Sequence, residues 1–320
     1  VSSILKAAKL GSQSGARPLA AVEVSPEGAL AAVRPAATGK RGSADPGGAP
    51  VYAFTSLPAG ALVPGIDEPN LRMPEVVAEA IRMALDQVSP RSGAVTLVLP
   101  DTAVRVFALD FDSLPAKAEE AISVIRFRLR KMVPFDVEHA GVSYQVLSQT
   151  KTECKALTAV LPGPILAEYE GAVRAAGYEP GAVLPSSLAA LEAADPMEAV
   201  LAATLSAAGI TTLIAMGQDL LLYRTLNLPA TPGERIIEIR RNIAVAAAYF
   251  EDKLGAPPRE LYYAGNRAPA EFAGWVGSPD LEVVELAPRP QTGMLTPLGN
   301  ESIAGVSGAL ALNSAQGFDR

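Results

Sequence analysis

Two segments constrain this chain more than any others. AAVEVSPEGALAAVR (residues 20–34) and TTLIAMGQDLLLYR (residues 211–224) each read as a strand, a tight turn containing glycine, and a second strand. Each pair is followed by alternating helical and strand patterns. A strand pair opening each half predicts layered α/β architecture rather than a sandwich or a helical bundle.

The elements between them follow from periodicity. Val76, Val77, Ala80, Ile81, Ala84, Leu85 and Val88 recur at helical spacing and predict a helix over 73–87. Strands are expected at 94–99 and 104–109, joined by Pro100-Asp101-Thr102, because both runs are rich in β-branched or aromatic residues. A helix over 116–132 presents Ala118, Ala121, Ile122, Ile125, Leu129 and Met132 on one face and stops before Pro134. With strands at 142–147 and 155–161 it makes a β-β-α-β-β block at 92–161. Helices at 164–176 and 187–194 follow. The apolar run 197–208 reads as buried helix. The second half adds the strand pair 211–216 and 220–226, a long helix over 232–254, a strand at 260–264, a helix at 269–275, a strand at 281–286 and an Ala-rich helix at 303–312. VSSILKAAKL, residues 1–10, reads as a brief amphipathic helix, and 38–50 as a Gly/Pro/Ser-rich loop.

Composition narrows the function classes. The 320 residues carry a net charge of -7, which disfavours non-specific nucleic-acid binding. His139 is the only histidine, so no multi-histidine metal site exists; Cys154 is the only cysteine and cannot form an internal disulfide. No apolar run approaches the ~20 residues that span a bilayer. Ser186-Ser187 carries no nearby base and no G-x-S-x-G elbow occurs, so no catalytic residue is assigned.

The richest motif run is VTLVLPDTAVRVFALDFDSLPAKAEEAISVIRFRLRKMVPFDVEHAGVSYQVL, residues 95–147. Its Pro100, Leu114-Pro115, Pro134-Phe135 and Tyr144-Gln145-Val146-Leu147 stand where the PilM family of type IV pilus assembly proteins has matching features. AAGYEP (175–180), ERIIEIRRNIAVAAAYFEDKLG and ELYYAGNRA continue the match. The chain thus resembles PilM over nearly its whole length. The resemblance implies an α/β, actin-like (ribonuclease H-like) two-domain fold with a small inserted α+β subdomain, as also found in FtsA. The implied division is a first actin-like domain at 1–91, the inserted subdomain at 92–161, a return to the first domain at 162–200 and the second domain at 201–320. It also implies a cytoplasmic protein at the inner face of the inner membrane, peripheral through a PilN-like inner-membrane partner, with homo-oligomerisation open.

Actin-like ATPases grip a nucleotide with such paired hairpins, and by resemblance the nucleotide site falls on Glu23, Gly217, Asp219, Gly265 and Asn266. The match is degenerate. Glu23 stands one methylene further out than the family's Asp, and Mg²⁺ demands near-ideal octahedral geometry. Pro26 removes an amide donor, and Glu27 adds negative charge. Ala215 stands where the second hairpin would carry an Asp. The expectation is therefore no cofactor, with ATP and magnesium left open. The implied partner-binding residues are Val104, Val106, Leu114, Arg126, Arg128 and Arg130, bordering a groove between the insert and the first half. Two readings stand: a non-catalytic adaptor or pseudo-ATPase scaffold of a type IV pilus or type II secretion-like machine, and an active ATPase of the same machinery.

Overall fold

A computed structural model describes residues 18–34, 48–193, 199–217 and 219–311. The expectations for residues 1–10 and for most of 38–50 lie outside the described residues.

Three strands rich in Ala and Val start the first sheet: β1 (Ala20–Ser25), β2 (Gly28–Val33) and β3 (Val51–Ser56), an antiparallel meander. Helix α1 (Pro74–Val88) covers it with the predicted apolar face, except Val76, which is exposed. Strand β4 (Ala94–Leu99) then pairs parallel with β1. The chain leaves the sheet to build β5 (Arg105–Phe111), α2 (Ala118–Leu129), β6 (Gly141–Gln149) and β7 (Cys154–Leu161). It returns through α3 (Gly163–Ala175) to β8 (Glu179–Pro185), parallel to β4, and α4 (Ser186–Leu191). The first sheet has the order β3-β2-β1-β4-β8, and the insert is a separate sheet of order β5-β7-β6.

The second half repeats this plan. Strands β9 (Ala199–Leu205), β10 (Gly209–Met216) and β11 (Asp219–Asn227) form an antiparallel meander. After α5 (Pro232–Leu254), strand β12 (Glu260–Gly265) joins β9 in parallel. Helix α6 (Pro269–Val276) and β13 (Glu282–Glu285) complete the order β11-β10-β9-β12-β13. Orders and strand senses match the first sheet one for one. Helix α5 has the predicted bounds; Pro232 starts it, and Gly255, at φ 77°, ends it in the left-handed region.

Three expectations are corrected. Residues 94–99 are not part of the insert: β4 is buried on both faces and lies between β1 and β8, so the insert begins at β5 and is β-α-β-β. Residues 199–205, inside the run read as buried helix, form the central strand β9. AVLAATL is apolar on both faces, and a strand buried on both sides shows no alternation. Finally, the second domain does not continue to the C-terminus. Residue Met294 bridges to Tyr52, and Leu295 donates to the Tyr52 carbonyl at the edge of β3. Helix α7 (Ala304–Ala311) then packs its Ala304, Val306, Ala309 and Leu310 into the core of β1, β2 and α4. The last helix among the described residues is thus a layer of the first half.

Candidate functional site

The matched sheets put two turns face to face. In sheet order the counterpart of the β1–β2 turn is the β9–β10 turn, not the β10–β11 turn that the sequence pattern picks out. The two counterparts are Ser25-Pro26-Glu27-Gly28 and Ser206-Ala207-Ala208-Gly209. Both are framed alike. The Gly28 amide donates to Ser25 Oγ at 3.3 Å, and the Gly209 amide to Ser206 Oγ at 3.1 Å. Register with the parallel neighbour places Glu23 opposite Val98 and Thr204 opposite Ala264, so Thr204 occupies the position of Glu23 in the second half.

Glu27 crosses between the halves. Its Oε1 accepts the Ala207 amide at 3.0 Å and Asn266 Nδ2 at 2.5 Å. A second bridge lies deeper. Asp101, in the 3₁₀ turn after β4, is 9 % exposed. Its carboxylate accepts the Ser187 amide (3.0 Å), Ser187 Oγ (2.8 Å), Thr204 Oγ1 (3.0 Å) and the Tyr223 hydroxyl (3.1 Å). The first two donors belong to the first half and the last two to the second. Burial pushes the Asp101 carboxyl above its ordinary range, against these hydrogen bonds, and pushes the Tyr223 hydroxyl up as well.

Glu23 lies beside this bridge. Ser186 Oγ donates to it at 2.5 Å, and Gly305 of α7 presses on it: a Cβ at Gly305 would stand 2.3 Å from Glu23 Oε2. Burial first, and then the Asp101 and Glu27 carboxylates, push its pKa up to about 7, although the Ser186 hydrogen bond lowers it. Glu23, Glu27, Asp101 and Glu301 all line the cleft, and among the described residues no lysine or arginine does. The centres of water-sized molecules have about 80 Å³ there, room for a few waters at the ~10–15 Å³ each requires. Among the described residues no group of three or more His, Cys, Asp or Glu is arranged to hold a metal ion.

The structure therefore brings Glu23, Gly265 and Asn266 of the expected nucleotide residues to one cleft. Gly217 and Asp219 do not join them. They lie at the opposite end of β10 from Gly209, roughly 25 Å of strand away at ~3.3 Å per residue. Gly217 is retained by its turn, which needs φ 60°. Ala215 faces the core, so the missing Asp has no bearing on the cleft. Sequence reading missed the bridging roles of Asp101, Ser187 and Tyr223. Their only sequence signal is a polar residue directly after an apolar strand or inside one.

The expected partner-binding residues fall into three groups. Val104 and Val106 are 1 % and 7 % exposed and fill the main core, so their side chains line no groove. Leu114 is half-buried against the small core of the insert. Arg126 donates through its guanidinium to the Val137, Glu138 and Ala140 carbonyls and clamps the segment before β6. Arg130 pairs with Glu138 at 2.5 Å and lies over the Phe127 ring. Arg128 is exposed, as are Lys131 and Phe127, the last at 68 %. Ile125 and Leu129 are buried as expected, while Ile122 is only half-buried. Cys154 is buried and its thiol pushed up by that burial; exposed His139 pairs with Asp136.

Two sheets of identical order around a cleft, with a terminal helix returned to the first, define an actin-like ATPase fold. No protein-family profile matches the chain, and no curated protein sequence does. Solved structures do. A chain of a PilM-PilN type IV pilus biogenesis complex aligns with TM-score 0.65 at 18 % identity, over 94 % of this chain and 98 % of that one. The cytoplasmic domain of EpsL, an inner membrane component of the type II secretion system of Vibrio cholerae, aligns at 0.49 and 12 % identity, over 93 % and 94 %. A Bacteroides thetaiotaomicron protein with actin-like ATPase fold aligns at 0.44 and 10 %, over 84 % and 91 %. The fold of this chain is PilM-like. Among the described residues no helix is long and apolar enough to cross a membrane.

Proposed function

We propose that this chain is a nucleotide-independent adaptor of a type IV pilus or type II secretion-like assembly, holding the cytoplasmic segment of a PilN-like inner-membrane protein. The observation that carries the reading is the end-to-end likeness to a chain of a PilM-PilN complex, insert included. The insert offers what an extended peptide needs. Its sheet ends in β5, whose outer edge has no strand partner among the described residues, and Ala108 and Asp110 on that strand are exposed. An open edge captures a peptide by backbone pairing. Arg128 and Lys131 at the end of α2 would steer an acidic segment and set its orientation. The adaptor works at the inner face of the inner membrane through this partner.

The chemistry of the cleft supports the reading without ATP and magnesium. The carboxyl groups of Glu23, Glu27, Asp101 and Glu301, where ionised, would repel a triphosphate. Among the described residues no group of three or more His, Cys, Asp or Glu is arranged for a metal, and Glu27 holds the turn amide that a phosphate oxygen would take. The test is calorimetry with the N-terminal peptide of the PilN-like protein from the same genome. Micromolar binding, equal with and without ATP and magnesium, is expected. Binding that appears only with nucleotide, or an ATP dissociation constant below ~10 μM (about -7 kcal/mol), would replace the adaptor by the ATPase reading. No peptide binding in either state would overturn the partner assignment.

A further inference from the structure

The contact between Glu27 and the opposite turn has the form of a bound anion. Its oxygen takes two N–H donors from the other half: the backbone amide of Ala207 and the side-chain amide of Asn266. These donors are aimed rather than incidental. Arg235 of α5 donates to the carbonyls of Ser206 (2.5 Å) and Ala207 (2.8 Å) on the far side of the turn. A trans peptide unit is planar, with its C=O and N–H pointing opposite ways. Holding the Ser206 carbonyl toward Arg235 therefore turns the Ala207 N–H toward the cleft. A carbonyl polarised by a guanidinium also strengthens the donor on the same peptide. The next two amides of the turn, Ala208 and Gly209, both donate to Ser206 Oγ. Ala207 is thus the one amide of the three that the turn leaves for an anion.

We propose that the cleft is a small-anion site filled by the chain itself: the Glu27 carboxylate takes the Ala207 and Asn266 donors and holds the two halves closed without a ligand. The class of anion that fits in its place is a monocarboxylate or a single inorganic phosphate. A larger polyanion would meet Glu23, Asp101 and Glu301 in the same cleft. This inference stands apart from the identity of the partner, because it concerns only contacts within the chain.

Amide hydrogen exchange on the full chain tests it. In Glu27→Ala the peptide spanning Leu205 to Gly209 should exchange about tenfold faster or more, since one charge-assisted hydrogen bond protects it. Acetate or inorganic phosphate at tens of millimolar should restore protection in that variant and change nothing in the parent. Glu27→Gln, which keeps an oxygen acceptor of the same reach, should show an intermediate rate. It also serves as the working variant should the alanine chain fold poorly. Unchanged exchange at Leu205 to Gly209 in both variants overturns the proposal. Faster exchange that neither anion reverses overturns the anion site and reduces Glu27 to a simple cross-link.

Discussion

The cleft and the inserted subdomain are the two charged regions of this molecule, and they treat their charges differently. In the cleft three of the four acids are held: Glu23 by Ser186, Glu27 by Ala207 and Asn266, Asp101 by four donors from two halves, while Glu301 Oε2 is buried without a hydrogen-bond partner among the described residues. In the insert only part of the charge is taken up. Arg126 holds three carbonyls and Arg130 holds Glu138, while Arg128 and Lys131 face solvent beside Phe127, and β5 keeps an open edge. A charged residue offers a ligand only what its own chain has not already satisfied. On that measure Glu23, Glu27 and Asp101 act as fastenings in the cleft, and the end of α2 is where charge on the insert still faces solvent.

The strongest way to break the contrast is Asp101→Ala. It removes the acceptor shared by the Ser187 amide and the Ser187, Thr204 and Tyr223 hydroxyls, of which Ser187 and Tyr223 keep only each other, and each buried donor left alone costs ~1–3 kcal/mol. A loss of about 4 kcal/mol in urea unfolding is expected, with Asp101→Asn milder because it keeps an acceptor. A loss no larger than that of a surface substitution would mean the halves are fastened elsewhere. Next, Ile125→Ala in the separate core of the insert, where Ile125 is 0 % exposed, should cost about 3 kcal/mol through the cavity it leaves. Amide exchange should rise first in β5, β6 and β7. Exchange rising equally in both large sheets would show that the insert has no independent core.

Glu23 gives a pH signature to the cleft alone. Its folded pKa is raised to about 7 from 4.5, so the native state holds the proton more tightly than the unfolded chain. The favourable contribution is complete below about pH 4.5 and declines as pH rises to about 7. Stability should fall by ~1.4 kcal/mol per pH unit in that window, about 3 kcal/mol in all. Glu23→Gln, which keeps an acceptor for Ser186, should lose this slope and exceed the parent at pH 8. Parallel melting curves for the two proteins from pH 5 to 8 would remove the linkage. The smallest effect on the fold belongs to Arg128→Glu, which should leave the melting transition in place while flattening the salt dependence of peptide binding. If binding is unaltered, the peptide does not pass the end of α2.

Much of the architecture is legible from pattern alone. Helices α1, α3 and α5 and strands β4, β6 and β7 lie within two residues of expectation, because each buries a single face or ends at Pro or Gly. The failure at β9 is instructive because it displaced the second turn by one strand. With β9 hidden in an apolar run, the first visible strand pair of the second half was β10–β11, and Gly217 and Asp219, at the end of β10 away from the cleft, were drawn into the expected site. Glu23, Gly265 and Asn266 do line one cleft, since motif resemblance places them without any strand count. Arg126 was misjudged for a different reason. Its helical position is on the rim, but its guanidinium reaches carbonyls eleven to fourteen residues further along the chain.

By itself the sequence determined the alternation of elements, the apolar faces, the insert helix with Ile125 and Leu129 inward, and the poverty of metal and nucleophile chemistry. These are local or periodic properties, carried by side chains within a turn or two of one another. Only the tertiary structure decided which two turns face each other, that the last helix belongs to the first half, and that Glu27 and Asp101 close the cleft. Those outcomes rest on partners 86 to 239 residues apart in the chain, and hydrogen bonds across such separations leave no period in the sequence.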